Sequence, residues 1–360
     1  MRDEASVEPA RAKLGWIQAL RFVAAAIVAL GHCLIEARHL SGHDATALDI
    51  TGFNWGYGVD IFFVISGFIM LLTTHNYFGV PGAPRQFLCR RIIRIVPIYW
   101  IMTLLLVLGG TLVPSLLNGQ LQALDVIVTS LLFVPYPRPT GELAPVLAVG
   151  WSLNYEMFFY LVFALGMRMP LHKGRVVIAG CLLALTIAGA LYPFESAVMK
   201  VWTDPLLVEF LMGMGIAWLY VSSSRPPPIV VGSVAAFGLV SSLAALTTLT
   251  GNLPRLMGCG VAAAALVYAA AFMQTTPATV AFRAITTLGD ASYSLYLTHL
   301  FALRLARAGW YAAFGGILLP SLFVVAAFAF ACVIAVLSYR LIEVPVTARL
   351  SRRPLPAPRR

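Results

Sequence analysis

Apolar stretches of about 20 residues follow one another along almost the whole chain, and this repetition constrains the fold more than any single motif does. At a rise of about 1.5 Å per residue, such a stretch matches the roughly 30 Å hydrocarbon core of a bilayer. A span of that length and apolarity satisfies its backbone hydrogen bonds internally, as a helix. The composition agrees: 60% of the 360 residues are hydrophobic and 11% are charged. A soluble domain carries about 25% charged residues, and this chain could not cover a water-facing surface with so few. The expected fold class is therefore all-α: a polytopic transmembrane helix bundle of about ten spans. These are read at 14–35, 57–73, 96–116, 146–167, 176–192, 204–221, 228–249, 255–273, 285–304 and 315–338.

The fourteen residues 121–134 pose the one ambiguity in this count. They are apolar apart from Asp125, and too short to cross comfortably. Loop charge decides the matter. With 121–134 lying at the interface and the N-terminus inside, 18 of the 25 Lys and Arg residues are cytoplasmic and 6 are outside, with Arg21 buried. An eleventh crossing would give 12 against 12. The positive-inside rule thus favours ten spans with both termini cytoplasmic. Residues 1–348 read as one membrane domain, followed at 349–360 by a basic, disordered cytoplasmic tail that can touch anionic lipid.

The net charge of +10 does not point to nucleic acid, because the basic residues fall between spans and in the tail. The mixed-charge N-terminus lacks a clean small-residue cleavage site, so the first apolar stretch reads as a retained span. The five cysteines are scattered and offer neither a disulfide framework nor zinc spacing.

Polar residues inside the spans carry the functional signal, because an ionisable group there is expensive. Arg21 and His32 lie eleven residues apart in one apolar segment. At about 100° per residue they are only about 20° out of register, stacked about 16 Å apart on one helix face. The topology puts Arg21 in the inner half of the membrane and His32 near the outer end. It also puts Asp60, Glu156 and His299 in the outer half, while Arg85, Arg90, Arg91 and Arg94 cluster just beneath the inner face.

Neutral imidazole beside a carboxylate suits a general base that takes a proton from a hydroxyl. Clustered arginines suit phosphates. Each feature also has a plainer reading. Asp60, Glu156 or His299 alone fits a helix-joining hydrogen bond equally well, and the arginines alone fit a topology signal. Cys33 projects about 100° from the His32 face and reads as packing.

Taken together, the motifs resemble the acyltransferase 3 family of integral membrane acyltransferases. The matching segments are Arg21-x10-His32, Gly58-Val-Asp60-Ile-Phe-Phe-Val-Ile-Ser-Gly-Phe68 and Phe87-Leu-Cys-Arg-Arg91-Ile-Ile-Arg94-Ile-Val-Pro97-Ile-Tyr99-Trp100. Further along come Trp151-Ser-Leu-Asn-Tyr-Glu156-Met-Phe-Phe-Tyr160, Leu288-Gly-Asp-Ala-Ser-Tyr293-Ser-Leu-Tyr296-Leu-Thr-His299 and Ile342-Glu343-x-Pro345. They stand in the family's order and cover nearly the whole chain. Within the family, Ile17-Gln-Ala-Leu-Arg21 and the Gly-Val-Asp-Ile-Phe-Phe segment look most like bacterial exopolysaccharide O-acetyltransferases of the succinoglycan type.

The resemblance implies transfer of an acyl group, usually acetyl, from cytoplasmic acyl-CoA to a hydroxyl of an extracytoplasmic or lipid-linked glycan, at a bacterial inner membrane and without a metal. It implies His32 as the catalytic histidine with Arg21 as its partner, and Arg90, Arg91 and Arg94 as donor contacts; the chemistry of the residues adds Asp60 or Glu156 as the catalytic carboxylate that steadies His32. Tyr296 and His299 match motif positions without an implied role. The chain is expected to lack the extra C-terminal esterase-like domain of some members, so a separate periplasmic transferase is an expected partner if a second protein is needed. Two rival readings stay open: a transporter or flippase of a glycan or lipid intermediate, and an acyltransferase acting on a small molecule or peptide.

Overall fold

The computed structural model describes residues 14–40, 53–112, 123–138, 141–223, 225–246, 252–273, 275–315 and 320–350. Among these the fold is helical and contains no strand. The helices are α1 (Gly15–Leu40), α2 (Tyr57–Thr74), α3 (Ala83–Leu112), α4 (Leu124–Leu131), α5 (Trp151–Gly166) and α6 (Leu171–Leu191). After them come α7 (Ala197–Trp202), α8 (Leu207–Ser222), α9 (Pro228–Ala245), α10 (Leu253–Phe272), α11 (Val280–Asp290), α12 (Ser292–Phe314) and α13 (Pro320–Leu350). Nine stretches among them are long and apolar enough to cross a membrane. The tenth expected span is α12, whose 23 residues are long enough but carry His299, Arg304 and Arg307. Of these, His299 belongs to the site described below. Leu108, Leu191 and Leu243 are 52%, 80% and 69% exposed, which is costly in water and ordinary against lipid.

Several boundaries differ from the sequence expectation. The span read at 285–304 is two helices, the amphipathic α11 and then α12, with a break at Ala291. Helix α3 begins at Ala83, well before residue 96, because its arginine-rich first turns are helical too. Helix α13 runs on to Leu350 through a π-helical turn at Tyr339–Glu343. The interfacial piece is as short as expected: α4 has eight residues, about 12 Å of helix, and cannot cross. The tail after Leu350 lies outside the described residues.

The chain forms two compact units. One comprises Met1–Leu72 with Glu209–Leu337, the other Thr73–Val208 with Ser338–Arg360. In the first, α2 and α8 approach so closely that a Cβ on Gly67 would sit 2.0 Å from the Phe210 carbonyl oxygen. A Cβ on Gly213 would meet the Val64 oxygen at the same distance. Small residues let backbones meet in this way where no hydrophobic drive exists between helices in lipid. Beside them, Cys33, Ala37, Leu295, Leu303 and Phe323 share a buried apolar cluster, so Cys33 is packing, as expected.

Helices α1 and α12 pack side by side. The Gln18 carbonyl faces Gly289 at the α11–α12 break, while His32 meets His299 and Glu36 meets Arg307. Both numbers rise together, so α1 and α12 run parallel. Parallel spans must be separated by an odd number of crossings, which holds when α4 stays out of the membrane and fails when it spans.

In the second unit, α5 and α6 meet at Gly166 and Gly174. A Cβ on Gly174 would lie 2.4 Å from the Gly166 carbonyl oxygen. Phe78, Phe87, Phe159 and Phe163 fill the space beside this contact. Pro97 sits inside α3, where it withholds one backbone donor from the helix.

Candidate active site

Helix α1 carries Arg21, His32 and Glu36 along one face, and α12 sets His299 opposite His32. His299 Nε2 lies 3.3 Å from His32 Nδ1, with ring centroids 5.0 Å apart. Each Nδ1 also faces a carbonyl oxygen one turn back on its own helix. His32 Nδ1 is 2.9 Å from the Val28 oxygen, and His299 Nδ1 is 2.9 Å from the Leu295 oxygen.

We assign the protons from these contacts. A carbonyl oxygen only accepts, so both Nδ1 atoms carry hydrogen. His299 is fully buried, and in the neutral ring its Nε2 presents a lone pair to His32. His32 Nδ1–H is then shared between the Val28 oxygen and His299 Nε2. A protonated His299 would aim a second N–H at the first, which is repulsive. The remaining nitrogen, His32 Nε2, holds a free lone pair on a half-buried ring, the state a general base or acyl-accepting nucleophile requires.

Around this pair, the Tyr296 ring lies 6.3 Å from His299 and packs edge-on against Phe62 at 5.9 Å. Arg21 Nη1 donates to Gln18 Oε1 at 2.9 Å from the same face of α1. Trp55 packs against Gly31, where any Cβ would lie 2.4 Å from its ring.

Asp60 has a different partner from the one the sequence pointed to. Its carboxylate is fully buried and engaged by Arg255, at 2.9 and 3.1 Å from Nε and 2.7 Å from Nη2. Arg255 Nη2 also donates to the Gly56 carbonyl oxygen at 3.0 Å, tying α10 to the start of α2. A π-helical turn at Leu256–Gly260 follows, and a Cβ on Gly260 would sit 3.1 Å from Glu209 Oε1. Glu209 is itself fully buried, so α2, α8 and α10 converge on charged groups. Sequence reasoning missed Arg255, counting it as loop charge, and missed that His299 is the neighbour of His32. The signal available for the second pair was depth, since parallel spans place both histidines at one level.

Glu156 and the arginine cluster belong to the other unit. Tyr160 Oη donates to Glu156 Oε2 at 3.1 Å, and the Tyr160 ring packs edge-on to Phe87 at 6.0 Å. Arg91 lies over the Phe87 ring, 5.8 Å from its centroid, with its Nε enclosed and lacking a hydrogen-bond partner among the described residues. Arg90 is exposed and Arg94 half-buried. An aromatic-backed guanidinium with an unused donor, between two further arginines on the same helix, suits a phosphate.

Comparison with known proteins gives the family. The acyltransferase-domain model of the acyltransferase 3 family matches residues 14–340. The chain belongs to that family and is a multi-pass membrane acyltransferase. It is 40% identical over 256 residues to the exopolysaccharide production protein ExoZ of Rhizobium meliloti (strain 1021), covering 70% of this chain and 78% of that protein. It is 28% identical over 179 residues to the "Putative membrane-bound transacylase BcsY" of Komagataeibacter xylinus, covering 45% of this chain and 44% of that protein. No solved structure matches it.

Proposed function

We propose that this protein is an inner-membrane O-acetyltransferase with both termini cytoplasmic. It moves acetyl from cytoplasmic acetyl-CoA to a hydroxyl of an extracytoplasmic or lipid-linked glycan, as in exopolysaccharide decoration. The observation that carries the reading is the His32–His299 pair, which leaves His32 Nε2 as an available base. Nε2 takes the proton of the glycan hydroxyl while that oxygen attacks the thioester carbonyl. The C–S bond then breaks, and the proton held on His32 passes to the departing thiolate. His299 holds the ring in the required tautomer, a task the sequence had assigned to Asp60 or Glu156. Arg21 adds positive charge along the same helix face.

Arg90, Arg91 and Arg94 take the phosphates of the donor, a reading supported by the enclosed Arg91 Nε, which has no hydrogen-bond partner among the described residues. Glu156, with Tyr160, supports this donor-side unit. The relatives favour a glycan acceptor, since the name of one ties it to exopolysaccharide production. A separate periplasmic transferase remains a candidate partner.

The test is transfer of labelled acetyl from acetyl-CoA to the glycan fraction of membranes, comparing wild type with His32→Ala and Arg91→Gln. Expected are loss of transfer in the first and a KM for acetyl-CoA raised about tenfold or more in the second. Undiminished transfer by an inserted His32→Ala protein would remove the catalytic assignment. Absence of transfer by wild type would remove the reaction.

A further inference from the structure

We propose that Glu36, Arg304 and Arg307 form a subsite for an anionic group, carboxylate or phosphate, on the acceptor whose hydroxyl is acylated. The inference rests on the acyl-transfer reading above and adds the chemistry of the acceptor. Arg307 Nη1 lies 2.7 Å from Glu36 Oε2, and the two side chains are 27% and 14% exposed. Glu36 follows His32 by one turn of α1, about 6 Å along the axis. Arg304 stands five residues past His299 on α12, about 7.5 Å along that helix. It is half-buried and within electrostatic reach of Glu36 and Arg307, yet has no hydrogen bond or ion pair with any described residue.

Two guanidiniums against one carboxylate leave one positive charge in excess. Because Glu36 occupies Arg307, the excess falls on Arg304, whose planar fork is open to a bidentate anion. A half-buried guanidinium with no hydrogen-bond partner among the described residues is costly, and a bound anion reduces that cost. The parallel course of α1 and α12 puts all three residues on the C-terminal side of the His32–His299 pair. In the topology proposed above that side faces outward, where the positive-inside rule disfavours arginine. Two arginines kept there against that rule mark a ligand. Lipid phosphate is the other claimant, but pairing with Glu36, on the His32 face of α1, ties the arginines to the reacting centre.

The experiment measures labelled acetyl transfer in membranes bearing wild type, Arg304→Gln or Arg304→Lys. Two soluble acceptors of one backbone serve as probes: an oligosaccharide containing hexuronic acid, and its carboxyl-reduced neutral form. Wild type should show a KM about tenfold or more lower for the acidic acceptor. Arg304→Gln should erase that preference by raising the KM for the acidic acceptor to that for the neutral one, and Arg304→Lys should restore part of it. Equal KM values in wild type, or a preference that survives Arg304→Gln, would overturn the subsite. So would an Arg304→Gln defect in proteoliposomes that tracks phosphatidylglycerol content and ignores acceptor charge, since it would give the arginine to lipid. Absence of turnover by wild type on either acceptor would instead overturn the acyl-transfer reading and the subsite with it.

Discussion

His299 Nε2 faces His32 Nδ1 at 3.3 Å while both Nδ1 atoms are committed to backbone carbonyls, so one imidazole orients the other. In the proposed mechanism a neutral hydrogen-bond acceptor takes the place expected for a carboxylate. His299→Gln can keep an acceptor oxygen near His32 Nδ1, whereas His299→Leu cannot. We expect kcat to fall about 10- to 100-fold in His299→Leu, by analogy with the loss of partners that orient ligating histidines, and to be largely retained in His299→Gln. Steady-state acetyl transfer by purified protein checks this. Equal loss in both variants would show that only packing is at stake.

The same geometry fixes the sign of the pH response. In the mechanism proposed above the reacting form carries a lone pair on His32 Nε2, so protonation at that atom should remove activity. A profile of kcat/KM should therefore fall on the acid side with a slope of one proton. Activity that rose on acidification would mean that His32 works as an acid and would reverse its assignment.

Asp60 and Arg255 form a pair whose members are unequal to their parts. With Asp60 fully buried and held by three hydrogen bonds, removing one partner strands the other charge in a low-dielectric interior. Asp60→Asn and Arg255→Met should each cost about 3–5 kcal/mol of stability, while the double variant recovers most of the loss. Thermal unfolding in detergent across the four proteins gives the coupling. Additive losses would show that the two side chains act independently.

What could be read in advance follows from the range of the interactions involved. A bilayer imposes one length on every crossing helix, so the apolar runs announced themselves. Their ends were hidden wherever polar residues are helical, as at Arg85–Arg94 in α3 and at Arg304 and Arg307 in α12. Arg21 and His32 were legible because a helix face is a local periodicity. Arg255 with Asp60, and His299 with His32, were not, because 195 and 267 residues of chain separate those partners and no local pattern encodes which spans touch. Arg304 closed the span read at 285–304, and nothing local showed that it faces Glu36 of α1.

Two glycines two positions apart in α8 separate close approach from mere absence of a side chain. A Cβ on Gly213 would lie 2.0 Å from the Val64 carbonyl oxygen, so α2 and α8 would have to part. A Cβ on Gly215 meets nothing within 4 Å. Gly213→Ala should destabilise the protein by about 1–3 kcal/mol or more, as overpacking does. Gly215→Ala should be neutral or stabilising by up to about 1 kcal/mol, since alanine is the better helix former. The melting temperature of each variant in detergent, with acetyl transfer measured below it, reads both effects. Because α2 also carries Asp60 and begins beside Trp55, the Gly213→Ala protein should lose transfer at temperatures where Gly215→Ala retains it. Matching behaviour of the two variants would mean that α2 and α8 do not rely on backbone contact at this point.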